Sequence, residues 1–178
     1  MNGAEQIEWL DLPDFKAMGE HKDATFSPCR TWRYQLRRRW SLGPWCNFLM
    51  LNPSTADETV NDPTVTRAER FARRWAYGGL IVTNLFAFRA TDPQVMRAAA
   101  DPVGPENDAA ILAAAKASGL VLCAWGNHGG FLRRGEQVRR LLEAEGVALH
   151  VLMLTGMRQP VHPLYQPNSR RPIPWPAE

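Results

Sequence analysis

The apolar run Phe48-Leu49-Met50-Leu51, broken at Asn52-Pro53-Ser54-Thr55, constrains this chain more than any other stretch. Such a run, stopping at an asparagine, a proline and two hydroxyl residues, reads as a buried strand ending in a polar loop. Residues 80–86, 120–126 and 147–154 repeat the form. Between these strands lie helical patterns. Asp62 and Pro63 open one, with Val65, Ala68, Phe71, Ala72 and Trp75 on a single face and Gly78-Gly79 as its stop. Residues 107–118 are alanine-rich, residues 131–145 are amphipathic, and residues 93–100 supply one or two helical turns inside a long loop.

Strand and helix therefore alternate. The expected fold is α/β: a three-layer sandwich around a central, mostly parallel four-stranded sheet, with right-handed crossovers and helices on both faces. Residues 29–40 alternate Trp32, Tyr34 and Leu36 against Arg33, Gln35 and Arg37. Period-2 alternation with aromatics predicts a half-exposed antiparallel strand at the N-terminal edge of that sheet. Its outer row of arginines either meets a phosphate backbone or is a solvated edge protected by charge. Residues 1–24 read as an N-terminal arm and residues 25–178 as one domain, with an extended, proline-rich tail.

A chain of 178 residues, 45% hydrophobic and 22% charged, is long enough for one real core. No run approaches a membrane span and the first ten residues hold no basic side chain, so the expectation is a cytoplasmic protein. Cys29, Cys46 and Cys123 are too scattered for a disulfide framework or a zinc site and read as reduced thiols in or near the core. The net charge of +3 is carried almost wholly by arginine, which suits phosphate but also follows from a GC-rich genome.

Ligands of open parallel sheets bind where strand C-termini meet their loops. That rim carries Asn52, Asn84, Trp125-Gly126-Asn127-His128 and His162-Pro163-Leu164-Tyr165. Amides donate and accept at once, which suits the mixed edge of a nucleobase. Phe86, Trp125 or Tyr165 are the stacking candidates. Each residue also has a plainer reading: Asn52 shapes a turn before proline, Asn84 caps a loop, His128 is a loop residue, and His162 fixes a corner. Dinucleotide, P-loop, nucleophile-elbow and metal-binding patterns are all missing, so no cofactor or metal is expected.

The stretches 50–57, 61–64 and 84–91, with Trp125-Gly126 and residues 162–165, resemble the family known as domain of unknown function 1643. More distantly, the layout is similar to the uracil-DNA glycosylase superfamily. That resemblance implies a water-positioning role for Asn52, aided by Asp57 or Asp62, base-edge reading by Asn84, and leaving-base stabilisation by His162. It implies base contacts from Phe86, Trp125 and Tyr165, and phosphate contacts from Ser54, Thr55, Arg89, His128, Arg158 and Arg170. The chain departs from that superfamily at Met50, Leu51, Leu164 and Tyr165, where bulkier residues exclude uracil, favour a modified base, or leave no base excised. The expected activity is hydrolysis of the N-glycosidic bond of a uracil-type or modified base by a monomer acting on DNA. The alternatives are a non-catalytic nucleic-acid or nucleotide binding module and a hydrolase of free nucleotides or nucleosides.

Overall fold

In the computed structural model, which describes residues 20–175, the apolar run forms the middle of a seven-stranded mixed sheet. The strands are β1 (His21–Phe26), β2 (Arg33–Arg39), β3 (Trp45–Met50), β4 (Gly79–Asn84), β5 (Ser118–Cys123), β6 (Leu149–Val151) and β7 (Ile173–Pro174), in the order β1-β2-β4-β3-β5-β6-β7. The four central strands are mutually parallel. Phe48 of β3 lies between Val82 of β4 and Leu122 of β5, and all three are fully buried. Helices cover both faces, which is why these strands are apolar runs without alternation.

α1 (Pro63–Arg74) packs Val65, Ala68, Phe71 and Ala72 on one face, against Cys46, Phe48, Leu80 and Leu122. α2 (Pro93–Ala98), α3 (Asn107–Lys116) and α4 (Arg134–Ala144) cover the other with Met96, Ile111, Ala115, Val138 and Leu142. Asp62 caps α1 as the sequence predicts, accepting from the Val65 N–H at 2.8 Å with Pro63 in the first helical position. Such a cap stabilises a helix by about 1 kcal/mol. The expected glycine stop is different. α1 ends at Trp75 and turns through Ala76 in the left-handed region (φ 65°), before the glycines. Gly79 belongs to β4, where a Cβ would sit 2.5 Å from the Trp45 ring.

The sheet has seven strands among the described residues, against the four plus one edge strand expected. β1 starts at His21, so residues 21–24, assigned above to the arm, pair with β2. Residues 1–19 lie outside the described residues. β1 and the two-residue β7 are strands because of their neighbours: neither carries an apolar periodicity of its own. β2 is antiparallel as predicted but not an edge, since β1 and β4 flank it. Its arginines are not a solvated row either. Of the predicted outer row, Arg33 and Gln35 are buried and only Arg37 is half-exposed, bonding Gln35 Oε1; Arg38 and Arg39 are buried too. Long aliphatic stems let arginine heads reach carbonyl partners inside the protein: Arg38 donates to Asn61 Oδ1 (2.7 Å) and to the Asp57 carbonyl (2.6 Å).

Smaller boundaries also shift. Residues 127–133 form a 3-10 turn, with Leu132 and Arg133 left-handed, so α4 starts at Arg134 rather than Phe131. The fourth parallel strand spans three residues of the eight expected. Cys46 and Cys123 are buried and Cys29 is exposed, all as free thiols. Among the described residues, no helix is long and apolar enough to cross a membrane.

Candidate functional site

The parallel strands deliver their loops to one edge, and backbone bonds knit those loops together. Beyond the strand ends, Leu85 N–H donates to the Met50 carbonyl, Phe86 N–H to Leu51, and Ala124 N–H to Leu49. Asn52 Nδ2 donates to the Ala90 carbonyl at 2.6 Å, while Ala90 N–H donates to Pro53, which ties the β3 loop to the β4 loop. Gly126 N–H donates to the Pro160 carbonyl at 2.7 Å and brings the β5 loop against the His162 segment. The result is a cavity of about 530 Å³.

Asn52, Asn84 and His162, far apart in sequence, all line it, together with Ser54, Trp125, His128 and Tyr165. Arg33 and Asp62 line it too. Arg33 donates to the Ala56 carbonyl (2.8 Å) and to Asn84 Oδ1 (3.3 Å), and its Nε has no protein partner. No carboxylate pairs with it among the described residues. Burial lowers its pKa to about 10, with the Asp62 charge pulling the other way, so Arg33 is a cation at neutral pH. Among the described residues, Asp62 is the single carboxylate on the cavity wall. Its Oδ1 is the helix cap.

His162 accepts the Leu164 N–H at Nδ1 (3.3 Å), and burial lowers its pKa below the ordinary value despite the opposing charge of Asp62. A neutral imidazole whose Nδ1 accepts must carry its proton on Nε2. His162 is therefore a neutral N–H donor on the cavity wall. Tyr165, 83% exposed, stands at the mouth with its ring centroid 6.2 Å from that of His162.

Other candidates lie elsewhere. Asp57 does not line the cavity: its carboxylate accepts from the Thr59 and Val60 N–H groups and the Thr59 hydroxyl. Those bonds depress its pKa to about 2. Phe86 is fully buried, packs on Phe131 at 5.6 Å, and offers no face to a base. Trp125 is 2% exposed; its indole donates to Gln159 Oε1 and its ring meets Trp175 at 5.3 Å. A Cβ on Gly129 would fall 2.0 Å from that ring, so Trp125 is a wall of the cavity and not a stacking platform. The apolar surface of both aromatics makes burial at the strand ends more favourable than exposure on the rim.

The phosphate candidates divide. Ser54 and His128 line the cavity, and His128 Nδ1 lies 3.1 Å from Arg97 Nη2. Ser54, Thr55 and Arg89, with Arg30 and Thr31, line an open groove that adjoins the cavity through Ser54, Ala90 and Thr91. Arg158 faces a separate hollow beside Trp175, and the Arg170 carbonyl accepts from Trp75 beyond the far end of α1. Neither lines the cavity. Sequence reasoning missed Arg33, which the alternation of β2 placed on an outer face.

A family model described as "Protein of unknown function (DUF1643)" matches residues 33–164. No curated protein and no solved structure matches the chain.

Proposed function

We propose that this chain, which belongs to the family described as "Protein of unknown function (DUF1643)", hydrolyses the N-glycosidic bond of a nucleobase in DNA, in the manner of the uracil-DNA glycosylase superfamily. One observation carries the reading: Asn52, Asn84 and His162 share a cavity with one carboxylate and one buried, carboxylate-free arginine. The volume of that cavity is within the range of small-molecule sites.

The chemistry divides among these groups. Cleavage of the C1′–N bond leaves the electron pair on the base nitrogen and an oxocarbenium-like sugar. The Arg33 charge and the His162 Nε2–H stabilise the departing anion, as preorganised donors do at developing charge. Of the two carboxylates named for activating water, Asp62 takes the part: its carboxylate faces the cationic sugar and accepts the proton of the attacking water, whose oxygen bonds to C1′. Asn52 Oδ1, free of any protein partner among the described residues, helps to hold that water. The target nucleotide must leave the stack to enter. Tyr165 supplies the exposed ring at the mouth, and the adjoining groove with Ser54, Thr55 and Arg89 accommodates flanking phosphates.

A second reading, base binding without turnover, is favoured by a different fact. The Asn52 amide N–H groups are spent on Ala90 and Pro53, and one Asp62 oxygen on the α1 cap. The test incubates the protein with oligonucleotides carrying uracil, hypoxanthine or hydroxymethyluracil and scores alkali-labile breaks. Breaks that vanish in Asp62→Asn, which keeps the cap, support hydrolysis. Salt-sensitive binding with no breaks on any substrate selects the second reading.

A further inference from the structure

An asparagine beside a base is expected to read a mixed edge, because its amide both donates and accepts. Asn84 is not in that situation. A guanidinium has donors only, so the amide atom facing Arg33 Nη2 must be the oxygen. That contact sets the orientation of the whole group: Oδ1 is turned to Arg33, and Nδ2, with no protein partner among the described residues, is left toward the cavity that Asn84 lines. The backbone behind it is held as well, since Asn107 Nδ2 donates to the Asn84 and Leu85 carbonyls at 2.9 and 3.0 Å. Arg33 cannot release Oδ1 cheaply, because it is buried and already carries one nitrogen unpartnered among the described residues. The other lining group with a determined proton, His162, also presents a donor.

We infer that the Asn84 end of the cavity selects a heterocycle edge bearing two neighbouring hydrogen-bond acceptors, as on the O6/N7 edge of a 6-oxopurine, and discriminates against the acceptor–donor–acceptor edge of uracil. The inference rests on the reading that the cavity receives a nucleobase. Uracil placed against Asn84 Nδ2 and the Arg33 charge brings its N3–H toward a donor and a cation. Sites built for one hydrogen-bonding pattern reject the wrong one strongly, because a buried polar group is left unpaired. Cytosine offers the same pair of acceptors at N3 and O2, so it is the second source of this edge.

The experiment compares single-stranded oligonucleotides of one sequence carrying deoxyinosine, 7-deazadeoxyinosine, deoxycytidine or deoxyuridine at one position. Affinity is read by fluorescence anisotropy, and the primary comparison uses the unmodified protein. Deoxyinosine or deoxycytidine binding about tenfold or more tighter than deoxyuridine is the expected result. For the purine source, replacing N7 by carbon weakens binding by a similar factor; for the pyrimidine source, deoxycytidine binds tightest. Asn84→Asp, which exchanges the donor for an acceptor beside Arg33, removes the preference. Deoxyuridine binding as tightly as the others overturns the inference while leaving nucleobase recognition, and any excision of uracil, intact. Discrimination without abasic products sustains the inference and defeats hydrolysis. Equal, weak binding of all four defeats both.

Discussion

Two buried arginines flank the end of β4, and they are held differently. Arg134, from α4, donates to the Leu85 carbonyl and pairs with the carboxylate of Asp108. Arg33, from β2, donates to the Ala56 carbonyl and to Asn84 Oδ1, and makes no ion pair among the described residues, although it feels the Asp62 charge. Both cost desolvation, and a buried charge stripped of its partner is strongly unfavourable. The difference lies in what each faces. Arg134 sits in the core on the α3–α4 side of the sheet, where its charge is closed off by Asp108. Arg33 lines a cavity, and its charge is left to act on whatever enters. A cation held beside a cavity by neutral oxygens, with no ion pair among the described residues, marks a candidate site, whereas one closed by an ion pair is a structural tie.

The largest effect expected from this contrast is on turnover. Asp62→Asn keeps the α1 cap but removes the one carboxylate of the cavity, and should reduce base release by roughly 10²–10⁴-fold. Asp57→Asn leaves turnover unchanged. Equal losses in the two variants would erase the distinction drawn between them. The next effect is on affinity. Arg33→Met should weaken oligonucleotide binding on the order of a hundredfold, since it removes a desolvated charge from the site. Arg134→Met leaves binding intact but destabilises the fold by about 1–3 kcal/mol, read by urea unfolding. A reversal of that pattern breaks the comparison.

Aromatic substitutions should give a smaller effect. Tyr165→Ala is expected to weaken binding by about tenfold with no change in unfolding midpoint, because an exposed ring contributes stacking and little else. Phe86→Leu and Trp125→Phe should do the opposite, lowering stability and sparing the ligand profile.

Smallest is the response to pH. The folded pKa of His162 lies below its ordinary value of 6.5, so the unfolded chain takes up that proton first. The contribution of His162 to stability is therefore whole above pH 6.5 and declines as pH falls below it. Ligand affinity should stay flat through pH 6.5 and change only on the acid side, where protonation keeps the Nε2–H but ends the acceptance of the Leu164 N–H at Nδ1 that orients the ring. His162→Gln, which keeps a donor, removes this dependence; persistence of the acid limb in that variant would assign it to another group.

Much of the architecture was legible because it depends on local signals. The four parallel strands, the order of helices between them and the Asp62-Pro63 cap follow from apolar runs and capping chemistry that a linear reading detects. What escaped it depends on neighbours. Alternation in β2 is genuine, but both of its faces are covered, one by α3, where Gln35 donates to the Ala110 carbonyl, and one by the loop that Arg38 holds. An arginine looks identical in sequence whether its head meets water or a buried carbonyl. The same limit applies to the site. Asn52, Asn84 and His162 were marked by their places at strand ends, whereas Phe86 and Trp125 at equivalent places turned inward. Arg33 carried no mark, because its meaning arises only when β2 lies beside β4.

The most direct test is an NMR titration that follows the side-chain amide of Asn84 and the guanidinium Nε–H signals of Arg33 and Arg134 as a deoxyinosine-bearing oligonucleotide is added. Saturable shifts of Asn84 and Arg33, with Arg134 unmoved, are the predicted result. Tight binding that leaves Asn84 and Arg33 unperturbed would place the ligand elsewhere and contradict the assignment of this cavity.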